Sequence, residues 1–298
     1  LPIQVIMPSL KEVKTRIGSV KSTRKITNAM KMVASSKLHH AQKDIEGLRP
    51  YENRLASIMT RFLRVYGGDV ESPYAEVREV KKVVLVVISS NSSLCGAFNA
   101  NVIKEFHKAS AQYGHDGVGV EVFPIGKKVA KAAQKAGYSF DTDMSEVLEH
   151  PNFDSAVKIA EMLMTRFAEG EIDKVEIISQ RFVNASKQEI RKNIFLPISL
   201  ETSADIDASS QKGTQPDYIV EPSVLGVISS LIPASLHMQI YSAILDSLAA
   251  EHAARVVAMQ VATDNADDLI EQLTLTYNKT RQQAITSELL DMASGSFQ

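Results

Sequence analysis

A stretch of 61 residues without glycine or proline, from Ala234 to Ser294, constrains the fold of this chain more than any other feature. Its residues favour helix throughout, and a single helix of this length would be about 92 Å long at 1.5 Å per residue. A compact chain of 298 residues has a radius of gyration of only about 19 Å. We therefore predict a C-terminal helix that projects beyond the domain to which it belongs.

The N-terminal segment, residues 9–64, is also predicted to be helical, with Ser9 as its N-cap. Its apolar residues recur at spacings of three and four, which predicts a seam against another helix. The seam residues are Leu10, Val13, Ile17 and Val20, then Ile26, Met30 and Val33, then Leu38, Ala41, Ile45 and Leu48. The two changes of phase predict stutters, and Gly47 with Pro50 predicts a bend before the helix resumes.

The middle of the chain, residues 78–200, alternates β-branched apolar runs with helical segments, beginning with the run Val80–Ser90. This alternation predicts a central, Rossmann-like α/β domain. Its last two strands flank the sequence NASK and are predicted to form a hairpin. Residues 201–217 read as a polar loop, and residues 218–298 as the segment that contains the long C-terminal helix.

Two long helices that leave one domain from opposite ends of the chain predict an antiparallel coiled coil. The fold class is therefore α/β, with a long antiparallel coiled coil of N- and C-terminal helices. If Met30 lies near Arg255, residue 10 lies near residue 275. About twenty residues of the last helix then lack a partner helix from this chain, and a lone helix of that length is marginal in water.

The charges of the two helices are opposite in sign. Residues 9–43 contain nine lysines or arginines and one acidic residue, Glu12, whereas residues 246–271 contain six acidic residues and one basic residue, Arg255. Antiparallel pairing compensates part of this charge. For the rest, two interpretations stay open: a solvated basic face, or a surface that meets an acidic partner.

Residues typical of catalytic chemistry are few. Cys95 is the only cysteine, which excludes an intrachain disulfide and a cysteine-rich zinc site. The sequence GVGVEVFPIGKK fits neither GxGxxG nor the phosphate-binding loop, because Val129 stands where the loop needs Ser or Thr. The longest apolar run, Val83–Ile88, is far shorter than the ~20 residues of a membrane span. Met7 is a candidate start, and a processed transit peptide is the alternative.

Four segments resemble the gamma subunit of F-type ATP synthase: KITNAMKMVASSKL, SSLCGAFNAN, EHAARVVAMQVATDNA and LTYNKTRQQAITSELL. The resemblance covers essentially the whole chain in order, with departures at Ser93 and Val220. It implies that Lys25, Met30, Lys31 and Arg255 face an acidic loop of the beta subunits. It further implies a contact of Arg281, Gln282 and Thr286 with a second beta-subunit loop, and of Tyr218 and Glu221 with the c ring.

The same resemblance implies a non-catalytic rotary shaft that couples proton flow through the c ring to ATP synthesis. Its partners would be three alpha and three beta subunits, the epsilon subunit and the c ring, with one copy of this chain per complex. ATP, ADP and Mg²⁺ would bind the partner subunits and not this chain. The expected location is the cytoplasmic face of a bacterial plasma membrane, with the mitochondrial matrix side as the alternative. Without the resemblance, a coiled-coil scaffold protein and a nucleic-acid binder remain as competing interpretations.

Overall fold

The computed structural model describes residues 9–66, 72–140, 144–185, 187–198, 221 and 223–295. Two long helices enclose the other elements in chain order, α1 (Leu10–Tyr66) and α5 (Val224–Gly295). The prediction of a long, unbroken C-terminal helix is confirmed, and Ser9 caps α1 by accepting a hydrogen bond from the backbone N–H of Glu12. Tyr218 and the predicted loop 201–217 lie outside the described residues.

Prolines do not end either long helix. Helix α1 continues through Pro50, the position of the predicted bend, and α5 begins ten residues before Ala234 and contains Pro233. A proline removes one backbone hydrogen bond, but both helices extend far on either side of it. Ser223 starts α5, because its hydroxyl oxygen accepts a hydrogen bond from the backbone N–H of Gly226.

The elements between the long helices alternate as predicted. In chain order they are β1 (Lys82–Ile88), α2 (Phe98–His115), β2 (Gly119–Ile125), α3 (Lys127–Lys135), a short 3₁₀ helix (Ser145–Leu148), α4 (Phe153–Ala168), β3 (Lys174–Asn184) and β4 (Lys187–Leu196). The sheet order is β2-β1-β3-β4, with β1 parallel to β2 and to β3. The predicted hairpin is confirmed, because β4 pairs antiparallel with β3.

Strand β1 is buried on both faces, as its continuous apolar sequence requires. Val83, Leu85 and Val87 face α2 and α3, where they join one apolar cluster. Val84 and Val86 face the opposite side, where they join a second cluster with α4 and the first part of α5. The α5 residues of that cluster recur every four positions, and they are Ile228, Ile232, Leu236, Ile240, Ile244 and Leu248.

One helix among the described residues, Gly226–Met292, is long and apolar enough to meet a length-and-composition test for a membrane span, with a mean hydropathy of 1.2. One third of the 18-residue apolar segment of this helix is buried within the protein. Since Ile228, Ile232 and Leu236 of this helix are core residues of the α/β layer, packing within the chain accounts for part of this apolar composition.

The chain divides into two compact units. The helical-pair unit contains described residues 9–35 of α1 and 255–295 of α5, and the central unit contains residues 36–254. Within the central unit, α1 also packs on α5, since Leu38, Ala41 and Ile45 form a buried cluster with Leu245, Ala249 and Ala253.

Candidate functional site on the helical pair

Three side-chain contacts join the two helices of the helical-pair unit. They are Arg24 with Asp267 (2.7 Å), Thr27 with Thr263 (2.9 Å) and Lys31 with Gln260 (2.9 Å). As the residue number rises on α1 it falls on α5, so the helices are antiparallel, as predicted. In every pair the two residue numbers total 290 or 291, and this constant total defines one axial register.

The predicted register is wrong by about five residues. Placing Met30 near Arg255 corresponds to a total of 285, whereas the observed contacts place Met30 opposite positions 260 and 261. The first residue of α1, Leu10, accordingly lies opposite positions 280 and 281. The prediction aligned two motifs by their position along the chain, and nothing in such an alignment specifies which side chains bond.

The predicted change of seam phase near Met30 is also wrong. Ile26 and Val33 are 60% and 58% exposed, whereas Thr27 and Ala34 are buried at 9% and 1%. Val13, Thr27 and Ala34 belong to one seven-residue repeat, which is the spacing of a regular coiled-coil seam. The sequence prediction failed because a threonine and an alanine carry little hydrophobic signal and larger apolar residues stand beside them.

The residues proposed from resemblance to face an acidic loop differ in exposure. Lys25 is exposed, and Met30 and Lys31 are partly buried. The Lys31 ammonium group donates a hydrogen bond to the Gln260 side-chain oxygen of the other helix. Arg255 is only 8% exposed. The structure thus places Lys25, Met30 and Lys31 on one segment of α1, with Arg255 on the paired helix.

The second predicted set lies where the pairing with α1 ends. Arg281, Gln282 and Thr286 are exposed, and the Thr286 hydroxyl donates to the backbone oxygen of Gln282 within the helix. Because Leu10 lies opposite position 280 or 281, Arg281 marks the point at which described α1 residues stop covering α5. Every described side chain from residue 285 to residue 292 is exposed.

Most cations of the helical-pair unit have no acidic neighbour in the described part of this chain. Among the basic residues of α1 described there, Arg24 is the one with a carboxylate within 4.0 Å. The other exposed basic residues are Lys11, Lys14, Arg16, Lys21 and Lys25. Antiparallel pairing therefore neutralises only part of the basic face.

Large apolar side chains are exposed along both helices of this unit. They are Ile26, Met32, Val33, Val257, Val261, Leu275, Ile285, Leu289, Leu290 and Met292, each between 42% and 66% exposed. Isolated exposed apolar residues are ordinary, but a series of ten on two short helical segments is typical of a surface that a partner covers.

The predicted c-ring residues cannot be placed together, because Tyr218 lies outside the described residues and Glu221 is described as an exposed residue. Within the residues that the structure describes, no cluster of three or more His, Cys, Asp or Glu side chains has the arrangement of a metal site. Cys95 is buried, and its sulfur accepts a hydrogen bond from the Asn99 amide at 3.1 Å.

The central unit contains a buried ionic cluster around Glu176, which is 2% exposed. The Tyr113 hydroxyl donates to this carboxylate at 2.5 Å, Lys174 lies 3.0 Å from it, and Lys192 lies 3.3 Å from its other oxygen. Burial by itself raises the pKa of Glu176, but the hydrogen bonds from Tyr113 and Lys174 outweigh burial and lower the pKa. This cluster joins α2, β3 and β4 within the central unit.

The pKa of a second carboxylate, that of the partly buried Asp246 on α5, has the opposite shift. Burial raises its pKa from 3.8 to about 6, although Arg49, Arg181 and Arg191 lower it. The nearest of these cations, the Arg49 guanidinium, is 3.8 Å from the carboxylate, a distance too long for a hydrogen bond. Asp246 is therefore a carboxylate whose charge the central unit stabilises poorly.

Comparison with known proteins identifies the family. A profile of the ATP synthase family matches residues 9–297. The ATP synthase gamma chain of Phocaeicola vulgatus is 49% identical over 291 residues, which is 97% of this chain and 99% of that one. The gamma chain of Bacteroides fragilis is 50% identical over 293 residues, with the same coverage.

The chain belongs to the gamma-chain family of ATP synthase. It is therefore a non-catalytic subunit with the role of central shaft in an F-type ATP synthase. The predicted resemblance is confirmed. The sequence-based prediction did not include four residues that join the two helices: Thr27, Thr263, Arg24 and Asp267. Of these, Thr27 could have been identified from its spacing of two heptads from Val13.

Solved structures have the same fold at low sequence identity. The central stalk of the Tetrahymena thermophila mitochondrial ATP synthase has a TM-score of 0.58 at 22% identity and covers 80% of this chain and 99% of that one. The rotor of the Euglena gracilis mitochondrial enzyme has a TM-score of 0.63 at 18% identity and covers 93% of this chain and 98% of that one. The combination of a long helical pair with an α/β sheet is thus common to gamma chains and these stalk proteins.

Proposed function

We propose that the helical-pair unit stands in the central cavity of a ring of three alpha and three beta subunits. The observation that carries this proposal is the surface of that unit, which exposes ten large apolar side chains beside cations that lack acidic neighbours in the described residues. A surface of this kind is stabilised when a partner removes the apolar side chains from water and supplies carboxylates.

The first contact is with acidic loops of the beta subunits. Lys25, Met30 and Lys31 provide two cations and a flexible thioether on one segment of α1, and Arg255 belongs to the same contact. Attraction between these cations and a carboxylate-rich loop acts over several ångströms, so it persists as the loop moves past. A contact of this type transmits torque without locking the shaft in one orientation.

The second contact is at the tip of α5. Arg281, Gln282 and Thr286 bind another loop of a beta subunit, and the exposed apolar residues beyond them lie in a sleeve formed by the ring. Support comes from exposure, since all three side chains are exposed in the described part of the chain. The end of the α1–α5 pairing near Arg281 leaves this segment of α5 accessible to the ring.

The remaining partners contact the central unit. Tyr218 and Glu221 face the c ring, and the α/β layer lies beside the epsilon subunit. One copy of this chain serves each complex, and ATP, ADP and Mg²⁺ bind the partner subunits. The curated relatives named above are bacterial, which favours the cytoplasmic face of a bacterial plasma membrane over the mitochondrial matrix side.

The coupling follows from asymmetry. Three equivalent catalytic sites surround one shaft whose faces differ, with basic residues on α1 and acidic residues on α5. Each beta subunit therefore has a different contact free energy with the shaft, which biases each site towards a different conformation and nucleotide affinity. Rotation of the shaft then cycles the three sites in turn.

The test is assembly with defined partners. The full chain is co-expressed with the alpha and beta subunits of the same organism, and the purified complex is weighed by native mass spectrometry. We expect three alpha, three beta and one copy of this chain, with ATP hydrolysis only when the ring is present. Two or more copies per ring, or hydrolysis by the isolated chain, would contradict the proposal.

A charge-reversal variant tests the basic contact within the same complex. Lys25→Glu introduces repulsion at the proposed acidic loop, and Lys108→Glu on the exposed surface of α2 makes the same change of charge in the central unit. We expect Lys25→Glu to reduce ATP hydrolysis by the assembled ring and Lys108→Glu to leave it unchanged. Equal effects of the two variants would argue against the contact.

A further inference from the structure

A pair of threonine hydroxyls lies in the seam of the helical-pair unit, at a position that coiled coils usually fill with an apolar residue. Thr27 is 9% exposed, and its Oγ1 lies 2.9 Å from Oγ1 of Thr263 on the other helix. The same seven-residue repeat of α1 has buried Val13 on one side and buried Ala34 on the other. A polar residue at one seam position is a known means of specifying helix register.

Counting protons shows that this hydroxyl pair has two arrangements. Thr27 Oγ1 also lies 3.0 Å from the Arg24 backbone oxygen, and Thr263 Oγ1 lies 2.8 Å from the Met259 backbone oxygen. Three oxygen–oxygen contacts share only two hydroxyl protons, because each threonine has one. One hydroxyl therefore donates to the other helix and the second donates to its own backbone, and the interhelical bond persists whichever hydroxyl donates.

The contacts on either side of the threonines are weaker determinants of register. The Arg24 and Asp267 side chains are 47% and 51% exposed, and exposed ion pairs contribute little to stability. The Lys31–Gln260 hydrogen bond is exposed as well. Partial burial thus distinguishes the threonine pair, since water has less access to its hydrogen bond than to the exposed contacts on either side.

Apolar contacts within the helical-pair unit specify the register less sharply than a directed hydrogen bond does. Apolar contact is non-directional, and a slip of one heptad, about 10 Å along the axis, replaces one small or branched seam residue by another. After such a slip Ile270 instead of Thr263 lies opposite Thr27. Each hydroxyl then keeps only the bond to its own backbone, and the interhelical bond is lost.

We propose that Thr27 and Thr263 are positioning residues that fix the axial register of α1 against α5. The register sets the distance along the shaft between the cations near Met30 and the residues near Arg281. The functional consequence rests on the contacts proposed above for those two regions, whereas the register itself is a property of this chain alone.

The experiment measures the register directly in the full-length chain by disulfide cross-linking. Val20→Cys with Ile270→Cys reports the observed register, since both positions are partly buried and their residue numbers also add up to 290. Val20→Cys with Tyr277→Cys reports a slip of one heptad. Cys95 remains in place, because it is 1% exposed and sheltered from oxidant.

The test variant is Thr27→Val with Thr263→Val, which keeps the shape and removes both hydroxyls. We expect the ratio of the slipped cross-link to the observed cross-link to rise about fivefold, which corresponds to the net stability that one hydrogen bond contributes. Thr27→Ser with Thr263→Ser keeps the hydroxyls and should leave the ratio unchanged. Thr23→Val, at an exposed position of the same helix, is the matched control and should also leave it unchanged.

Two outcomes overturn the proposal: an unchanged ratio in the double valine variant, or an equal rise in the Thr23→Val control. If the double variant fails to fold by circular dichroism, Thr27→Val alone is used, because Thr263 then still donates to the Met259 backbone oxygen. In the assembled complex, a shifted register should lower ATP-driven proton pumping relative to hydrolysis. A shifted register with unchanged pumping supports the positioning role and contradicts the proposed contacts.

Discussion

Replacing Asp246 by asparagine should change the pH dependence of stability in a way that the structure specifies. Partial burial raises the pKa of the Asp246 carboxylate on α5 to about 6, compared with 3.8 for an ordinary aspartate. Glu52 raises this pKa further, while Arg49, Arg181 and Arg191 lower it without removing the effect of burial. A raised pKa means that the folded protein holds this proton more tightly than the unfolded chain does.

The sign and size follow from linkage. Because the folded state binds the additional proton between pH 4 and pH 6, the contribution of Asp246 to stability falls as the pH rises through this window and is constant above it. A shift of about two pKa units corresponds to about 3 kcal/mol. Asp246→Asn removes the titration, so the stability of the variant relative to the wild type should rise by up to ~3 kcal/mol from pH 4 to pH 7.

The assay is urea unfolding of both proteins at several pH values between 4 and 8. The quantity compared is how the difference in the free energy of unfolding between the two proteins changes with pH. Any pH-independent cost of placing an amide beside Arg49 therefore cancels. Glu79→Gln is a matched control, because Glu79 is 84% exposed and its replacement should leave the pH dependence unaltered. A difference in the free energy of unfolding between wild type and Asp246→Asn that stays constant from pH 4 to pH 8 would refute the reasoning.

Three further predictions concern other sites. Glu176→Gln should destabilise the protein by about 1–3 kcal/mol at pH 7, because it removes the charged acceptor from Tyr113, Lys174 and Lys192. Since the pKa of Glu176 is lowered, the deficit should shrink as the pH falls below about 4.5. A urea titration that finds no loss at pH 7 would contradict the cluster's role. Met30→Lys adds a cation to the acidic-loop contact and should alter the ratio of proton pumping to ATP hydrolysis in reconstituted vesicles; an unchanged ratio counts against that contact. Arg281→Ala with Gln282→Ala removes exposed side chains, so stability should change by less than about 0.5 kcal/mol while turnover of the assembled complex falls; wild-type turnover would show that these side chains are unimportant there.

The sequence predicted the features that depend on local composition. The absence of glycine and proline from Ala234 to Ser294 predicted the continuous helix, and the β-branched run Val80–Ser90 predicted a buried strand. The start of α5 was predicted ten residues too late, because Pro233 is a strong local breaker whose effect the packing of Ile228 and Ile232 on the sheet overrides.

Features that depend on pairing across the fold could not be read from composition. The register of the helical pair depends on Thr27, Arg24 and Lys31 finding specific partners more than 200 residues away. The ionic cluster brings together Tyr113 and Glu176 from separate elements. Each of these residues is ordinary in its own segment, and only the fold brings it to its partner. The family motifs predict contact surfaces, but they do not specify how the two helices align.

The central claim is that the helical pair turns inside a ring of catalytic subunits, and direct observation of rotation tests it best. The alpha and beta subunits are fixed to a surface, and a bead is attached to Lys108→Cys, an exposed position in the central unit. With ATP, the account predicts continuous rotation of the bead in one direction, with three pauses per turn. Complexes in which this chain is covalently cross-linked to a beta subunit cannot rotate. If such complexes hydrolysed ATP at full rate, the claim of rotation would be contradicted.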